Sequence, residues 1–330
     1  MKKLLTLALS LLLVCALAAV ASAEVTLKLS EVHAEGYPTA LADHEFARLV
    51  EEKTEGRVKI EVYTNGSLYA DEPTSIEALQ IGDLGFARVS ASPVGAFVPS
   101  INAIQMPYLY NNAEHMWKVL DGEIGQAMLA GIQSSGSGLI GLCYYDAGSR
   151  SFYLTKEVHA VADMQGLKIR TQGNPMMIRM AELLTGIPGV TGIGPGEVYS
   201  AIQNGVVDGA ENNWPTYQNM SDYEVAKFYI LDSHTRVPEI LLASEAALKA
   251  IDPEDLEIIK QVAKDTQEFE KAAWAAKEKE SEAIVRAAGT TVVELTTEAY
   301  KGFQDAMAPL YEEFGKDYAD VIEQIRTTDQ

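Results

Sequence analysis

The chain has 330 residues and carries 47 acidic against 26 basic side chains, a formal net charge of −21. A surface this acidic repels phosphate backbones and anionic headgroups, so the composition argues against binding to nucleic acid or to a membrane surface. The length is typical of two domains or lobes and too great for one small core.

The first 23 residues have the layout of a secretory signal peptide. Lys2 and Lys3 precede an apolar run from Leu4 to Val20, and the small-residue triplet Ala21-Ser22-Ala23 follows it. A membrane anchor is the alternative, but the run is slightly short for a spanning helix. We therefore expect cleavage after Ala23 and a periplasmic protein. Its only cysteine would then be Cys143, in an apolar stretch typical of a buried, inert thiol.

Strand and helix patterns alternate after this leader. Apolar residues alternate over residues 25–29 and 58–62, which predicts strands, and residues 84–89 are predicted to form a third strand. Helical patterns fill residues 38–55 and about 73–81 between them. Such alternation predicts an α/β fold in which a parallel or mixed sheet has helices on both faces.

Two further patterns bear on the domain organisation. The segment Ala78-Leu79-Gln80-Ile81-Gly82 is echoed by Ala201-Ile202-Gln203-Asn204-Gly205, which fits two similar lobes facing a shared cleft. Asp252 and Pro253 begin a helix pattern that persists to Gly289. A single helix of this length could brace both lobes, and two shorter helices with a kink are the alternative.

The common motifs of enzyme and metal sites are missing. His44-Glu45 lacks the second histidine of a zinc protease motif, and the five histidines have no metal-ligand spacing. The serine in Gly136-Ser137-Gly138 lacks the frame of a nucleophile elbow. Gly192 to Gly196 lacks dinucleotide-binding spacing, and Pro195 removes an amide that a phosphate cradle would use. We expect no enzyme activity, no metal and no cofactor, although triads assemble from distant positions.

Polar side chains stand at the ends of three predicted strands. Arg150 follows a glycine turn at the start of an apolar strand, Arg170 ends a short strand, and Asn212, Asn213 and Trp214 close a helix-to-strand passage. An arginine in an apolar neighbourhood suits bidentate capture of a carboxylate. The alternative is that both arginines pair with surface acids, and that residues 212–214 form only a turn and a core aromatic.

Several ordered motifs cover nearly all of the chain after the leader. They are a helix ending in T-x-G-R at residues 46–58, D-M-Q-G-L-K-I-R at 163–170, G-E-V-Y at 196–199, G-V-V-D-G-A-E-N at 205–212 and Y-E-V-A-K-F at 223–228, with His234 soon after. In this order they resemble the substrate-binding component of TRAP (tripartite ATP-independent periplasmic) transporters, the dicarboxylate-binding-protein-like family.

The resemblance implies a fold, a domain division and partners. The fold is a two-lobed periplasmic binding protein, each lobe a mixed sheet flanked by helices, with hinge strands and a long bracing helix. Residues 24–147 and 236–275 would form lobe 1, and residues 148–235 and 276–330 lobe 2. The expected partners are a small organic acid and the integral membrane permease subunits, with the binding protein itself a monomer.

The resemblance also implies candidate ligand contacts. The arginine that fixes the ligand carboxylate falls on Arg170, a second cleft arginine on Arg150 and the cleft asparagine on Asn212. Contacts from the first lobe fall at Glu31, His33, Asp71, Glu72, Arg88, Ser90 and Ser92. The chain departs from the family pattern between Thr185 and Pro195, so no contact is predicted from that loop.

Within the family, Glu31 to Thr39, Arg88-Val89 and Glu211 to Trp214 most resemble members that bind sugar acids such as glucuronate or galacturonate. A uronate needs a carboxylate clamp and partners for its hydroxyls, which Asn212, Asn213, Glu31 and His33 can supply, while Trp214 can cover the ring. The alternatives are another monocarboxylate, either an aromatic keto acid or a small hydroxy acid, and an exported lyase or hydrolase of acidic sugars with His33 as its base.

Overall fold

A computed structural model describes residues 24–328 of the chain. The predicted leader, residues 1–23, lies outside the described residues. Among those described, no helix combines the length and the apolar character needed to cross a membrane.

Residues 24–328 form ten strands and twelve α-helices, joined by short 3₁₀ turns. The strands are β1 (Val25–Ser30), β2 (Val58–Tyr63), β3 (Phe86–Ser90), β4 (Leu139–Tyr145), β5 (Arg150–Leu154), β6 (Ile169–Arg170), β7 (Gly209–Asn212), β8 (Phe228–Thr235), β9 (Glu239–Ser244) and β10 (Thr291–Glu294). The helices are α1 (Pro38–Lys53), α2 (Glu72–Ile81), α3 (Ala91–Phe97), α4 (Ala113–Asp121), α5 (Glu123–Ser134), α6 (Pro175–Thr185), α7 (Val198–Gln203), α8 (Trp214–Asn219), α9 (Pro253–Ala287), α10 (Thr297–Ala306), α11 (Ala308–Phe314) and α12 (Ala319–Thr327).

The strands make two five-stranded mixed sheets, as the two-lobed α/β fold requires. The first sheet has the order β2-β1-β3-β9-β4. In it, β1 is parallel to β2 and β3, and β9 is antiparallel to β3 and β4. The second has the order β10-β8-β5-β7-β6, with β5 antiparallel to β7 and β8. The chain passes between the sheets at residues 146–149 and 236–238. It crosses a third time between β9 and β10 through α9, and these three crossings join the lobes.

Each sheet is covered by helices through its apolar side chains. On the first sheet, Phe46 of α1 meets Phe86 of β3 edge-on, with ring centroids 5.3 Å apart, and both are fully buried. On the second sheet, Tyr229 of β8 and Tyr217 of α8 pack in a separate cluster. The interior strand β9 is buried at every residue, which is why its sequence is an apolar run rather than an alternation.

The long helix is continuous. Asp252 caps it by accepting a hydrogen bond from the Glu254 amide at 3.0 Å, and α9 then runs for 35 residues. It packs against α1 beside the first sheet and against α8 beside the second. The predicted bracing helix is confirmed, and the alternative of two kinked helices is wrong.

The sequence echo marks corresponding corners of the two lobes. Gly82 ends α2 and Gly205 follows α7, both in the left-handed region with φ of 81° and 70° that favours glycine. Each glycine leads into a strand, β3 or β7, whose far end approaches the space between the sheets. The two halves therefore present their strand ends to the same cleft.

Candidate ligand-binding cleft

A cavity of about 560 Å³ lies between the two sheets. Parallel strands bring their carboxyl ends to one edge of a sheet, and an antiparallel neighbour brings its amino end to that same edge. Turns after β1, β2 and β3 and the first residue of β9 therefore line one wall. The ends of β6 and β7 and the start of β5 line the other. Polar lining residues are His33, Asn65, Asp71, Glu72, Arg88, Ser90 and Glu239 on the first wall, and Arg150, Arg170, Thr171, Gln172, Glu197, Asn212 and Thr216 on the second.

Arg170 is a buried cation without a carboxylate partner. It ends β6, is 7% exposed, and donates through Nε and Nη2 to the carbonyl oxygen of Ile193 at 3.0 and 2.8 Å. Across residues 24–328, no carboxylate oxygen lies within 4 Å of its guanidinium. The hydrogen bonds to Ile193 use only Nε and Nη2, so Nη1 takes no part in them. Burial lowers the pKa of Arg170; Tyr153, Glu211 and Glu72 oppose this shift, and the nearby Arg150 cation reinforces it. An anionic group at the Nη1 edge would relieve this cost.

Arg150 is held by one acid, Glu211, and by Asn212. Its Nε and Nη2 fork onto the carboxylate of Glu211, Nη2 also donates to the Glu211 carbonyl at 2.7 Å, and Nη1 donates to Asn212 Oδ1 at 2.8 Å. Burial alone would raise the pKa of Glu211, but Arg150 and His234 outweigh it and hold this pKa at about 2. Arg150 is therefore charge-compensated, and Asn212 keeps its amide nitrogen for the cavity.

His234 extends this buried network behind the cleft. Its Nδ1 lies 2.9 Å from Asp232 and its Nε2 lies 3.5 Å from Glu211, while its ring stacks on Phe152. Burial by itself would lower the pKa of His234, but the two carboxylates outweigh it and raise this pKa to about 9. The imidazolium thus bridges two acids at neutral pH.

Arg88 is saturated by acids on the opposite wall. Nε and Nη2 donate to Glu31, and Nη1 donates to Glu72 at 2.7 Å and to Glu239 at 2.6 Å. The second Nη2 proton points toward His33, whose Nδ1 lies 2.6 Å from Nη2. Nδ1 accepts this proton when the imidazole proton is on Nε2. All five guanidinium protons are then used inside the protein. Arg88 positions the acids around it and has no donor left for a ligand.

Eight of the twelve predicted site residues line the cavity: Arg150, Arg170, Asn212, His33, Asp71, Glu72, Arg88 and Ser90. Asp71 also caps α2, accepting from the Thr74 amide at 2.9 Å. Two of the remaining predicted residues, on the first wall, lie outside the lining. Glu31 is fully buried behind Arg88, and Ser92 lies outside the lining with its carbonyl bound to Asn174 Nδ2 at 2.6 Å.

The two predicted residues that follow Asn212 also lie outside the lining. The Asn213 side chain caps α8, accepting from the Thr216 amide at 2.8 Å, so its oxygen is used within the protein. Trp214 is 6% exposed and stacks on Tyr229 at 3.8 Å between ring centroids, within the core of the second lobe. The first turn of α8 directs its indole to this core, where a large ring buries most area. Neither residue lines the cavity, as the core-aromatic alternative requires.

Several lining residues were missed by sequence reasoning. Glu239 begins β9, and the only signal for it is an acid at the head of an otherwise apolar, buried strand. Thr216 and Gln172 carry no pattern of their own. The atypical loop does contribute, because Gly192 to Glu197 line the cavity and the Ile193 carbonyl orients Arg170. Across residues 24–328, no group of three or more His, Cys, Asp or Glu side chains has the geometry of a metal site.

Comparison with known proteins decides the family. The family model of bacterial extracellular solute-binding proteins, family 7, matches residues 29–317. The chain belongs to this family. Its fold is shared with a TRAP periplasmic solute-binding protein of Pseudomonas putida F1 solved with bound D-glucuronate, at 37% identity and a TM-score of 0.89, over 93% of this chain and 98% of that one. A Bradyrhizobium TRAP protein in complex with α/β-D-galacturonate is 36% identical, with a TM-score of 0.87 over 92% and 100% of the two chains.

A third relative has been solved in two states, with ligand and without. The TRAP solute-binding protein of Citrobacter koseri, 31% identical, superposes with a TM-score of 0.88 when it holds D-glucuronate, over 92% of this chain and 100% of that one. Its apo, open structure gives 0.76, over 91% and 97%. The two lobes of this family 7 protein are therefore arranged as in the ligand-bound relative.

Proposed function

We propose that this family 7 protein captures a hexuronate, such as D-glucuronate or D-galacturonate, for a TRAP transporter. The observation that carries the proposal is the polarity of the cavity. One wall holds Arg170, a buried guanidinium without a carboxylate partner, and the other holds Glu72 and Glu239, acids that can accept hydroxyl protons. A uronate has its single carboxylate at one end of the ring and its hydroxyls around the rest.

The same polarity disfavours dicarboxylates. A second ligand carboxylate would stand against the Glu72 carboxylate, whose cation Arg88 is already saturated. Like charges placed together in a closed, low-dielectric cavity repel strongly, which selects against that class of acid. The relatives solved with D-glucuronate and galacturonate support the same ligand class for this chain.

The remaining assignments follow from this role. Family 7 members are extracytoplasmic, bind small acids and work with membrane permeases. For this chain we propose cleavage after Ala23, delivery to integral TRAP permease subunits, and action as a monomer. The proposed lobes are residues 24–147 with 236–275, and residues 148–235 with 276–330. Proposed ligand contacts are Arg170, Arg150, Asn212, His33, Glu72, Asp71 and Ser90, with Arg88 as a positioning residue.

A thermal-shift screen of purified residues 24–330 against organic acids tests the proposal. A ligand that binds only the folded state raises its stability by about 4 kcal/mol at a thousandfold excess over Kd. D-Glucuronate or D-galacturonate should raise the melting temperature, while D-glucose and succinate should not. A shift with succinate alone would contradict the assignment, and turnover of an acidic oligosaccharide would favour an enzyme.

A further inference from the structure

The acid wall of the cavity contains two carboxylates tied to one nitrogen. Glu72, at the start of α2, and Glu239, at the start of β9, each give one oxygen to Nη1 of Arg88. These residues come from distant parts of the chain and are held side by side by a single cation. Arg88 thereby fixes where both carboxylates stand.

The second oxygen of each acid is directed to the cavity. Within residues 24–328, Glu72 Oε2 and Glu239 Oε1 accept no hydrogen bond, and neither belongs to the fully buried atoms that lack a partner. Both residues line the cavity although they are only 7% and 5% exposed. The free oxygens therefore form an acceptor pair on the wall of the cavity that faces Arg170.

Glu239 lies in a crowded field of charges. The titratable and charged groups that act on or face it are Arg88 on β3, Glu72 on α2, Glu31 and Tyr37 after β1, Tyr145 on β4, Arg150 on β5 and Glu270 on α9. Burial raises the pKa of Glu239 to about 7, Arg88 opposes the rise, and the Glu72 and Glu31 carboxylates reinforce it. Near neutral pH the Glu239 side chain exchanges between a carboxylate, which only accepts hydrogen bonds, and a neutral carboxyl group, which can also donate one.

We propose that Glu239 is a specificity-determining residue that binds a ring hydroxyl of the ligand, beside Glu72, in its protonated form. The inference rests on the proposed uronate function. An anionic ligand and the exclusion of water from a closing cleft both favour the neutral carboxyl. A neutral Glu239 can donate to one hydroxyl oxygen while Glu72 accepts from the next, so the pair matches neighbouring hydroxyls without two facing anions.

The sign of the pH dependence follows from this assignment. Binding raises the affinity of Glu239 for its proton, so binding takes up a proton wherever the free protein has lost it. The dissociation constant for the uronate should then be lowest below about pH 7. Above that pH it should rise by up to about tenfold per pH unit.

The test is calorimetric titration of residues 24–330 with D-glucuronate from pH 5.5 to 9, in buffers of differing ionisation enthalpy. Binding of glucuronate by the wild type should weaken above pH 7, and each binding event there should take up close to one proton. Glu239→Gln, which mimics the neutral carboxyl, should lose this pH dependence and the proton uptake. Glu239→Ala should weaken binding tenfold or more at pH 6, because the carboxyl group loses its hydrogen bond to the ring hydroxyl and its hydrogen bond from Arg88. Glu245→Gln, just past the other end of β9, removes the same charge and should retain the wild-type profile.

Each outcome bears on the inference separately from the function. Tight glucuronate binding with a flat profile in the wild type, or an unchanged profile in Glu239→Gln, overturns the role of Glu239 and leaves the uronate function standing. No binding of glucuronate or galacturonate at any pH overturns both. Thermal melts of each variant establish that it folds, and Glu239→Gln, which keeps the shape of the side chain, decides the question if Glu239→Ala does not fold.

Discussion

Three buried arginines border the cavity, and their partners give them different roles. Arg88 is surrounded by Glu31, Glu72 and Glu239, and Arg150 is forked onto Glu211. Only Arg170 has a backbone carbonyl in place of an acid partner among residues 24–328. A buried cation held by neutral dipoles gains most from an added anion. The carboxylate clamp is therefore assigned to Arg170.

Substitution of Arg170 tests this assignment. Arg170→Lys should weaken uronate binding by about 2–5 kcal/mol, because an ammonium cannot donate both to the Ile193 carbonyl and to a carboxylate in a planar fork. Titration calorimetry measures the loss. Arg179→Lys, on a half-exposed arginine of α6, is the matched control and should bind as the wild type does. Equal affinities for both variants would exclude the clamp.

Trp214 should matter to stability and not to ligand choice. Trp214→Ala removes a ring stacked on Tyr229 in the second lobe and should destabilise the protein by about 3–5 kcal/mol. Trp214→Phe should restore much of that loss. Thermal denaturation and parallel titrations with glucuronate and lactate provide the measurements. A changed preference between the two acids, in a variant that remains folded, would return Trp214 to the ligand site.

The kinds of residue in the site could be predicted from sequence, but their pairing could not. Arg150 and Arg170 stand out as arginines at apolar strand ends. The saturation of Arg88 depends on Glu239, which is 151 positions away and approaches only when β9 pairs with β3. Trp214 was misplaced because its position beside Asn212 says nothing about which way the first turn of α8 points.

At the scale of elements, side-chain hydrogen bonds join the two walls of the cleft beside the ligand space. Tyr37, between β1 and β2, has its hydroxyl 2.9 Å from Thr216 Oγ1 on α8. Asn174, which caps α6, donates to the Ser92 carbonyl and to Asn102 Oδ1 on the other side. These bonds form only when the lobes approach each other, so they stabilise the closed arrangement.

Tyr37→Phe isolates one of these bonds. The ring keeps its stacking on His33, with centroids 3.9 Å apart, and loses only the hydroxyl contact to Thr216. Uronate affinity should fall by about 1 kcal/mol, roughly fivefold, and by the same factor for glucuronate and galacturonate. Calorimetric titration measures it. Tyr63→Phe, at a partly exposed hydroxyl bound to Glu61, should have no effect. An unaltered Kd in Tyr37→Phe would contradict the contribution of this bond to closure.

Elements with strong local signals were predicted, and those fixed by packing were not. Asp252 and Pro253 predict the start of α9, and its predicted extent to Gly289 is close to the observed end at Ala287. Helix α1 ends at Lys53 rather than at Glu55, because Glu55 and Gly56 both adopt left-handed backbone angles. The C-terminal helices α10 to α12 were not predicted. Their position depends on distant contacts, such as Tyr311 donating to the Pro107 carbonyl at 2.6 Å.

At the scale of the whole molecule, the buried imidazolium His234 makes stability depend on pH. Its folded pKa of about 9 lies above that of an unfolded histidine, so protonation stabilises the fold. This contribution, on the order of 3 kcal/mol, is complete below about pH 6.5 and is lost as the pH rises through about 9.

Thermal melts between pH 5.5 and 10 test the contribution of His234. The melting temperature of His234→Gln should lie well below that of the wild type at pH 6, and the two should converge toward pH 10. His159→Gln, on an exposed histidine, should follow the wild type throughout. A gap between His234→Gln and the wild type that is equal at pH 6 and pH 10 would show that the ring acts by packing alone.

The central claim is that one molecule of a uronate lies in the cleft with its carboxylate on Arg170 and its hydroxyls on the acid wall. A crystal structure of residues 24–330 with D-glucuronate or D-galacturonate measures this orientation directly. We expect the ligand carboxylate at the Nη1 edge of Arg170 and ring hydroxyls within hydrogen-bond distance of Glu72 and Glu239. A ligand carboxylate at the acid wall, or a uronate bound outside the cavity between the sheets, would contradict it.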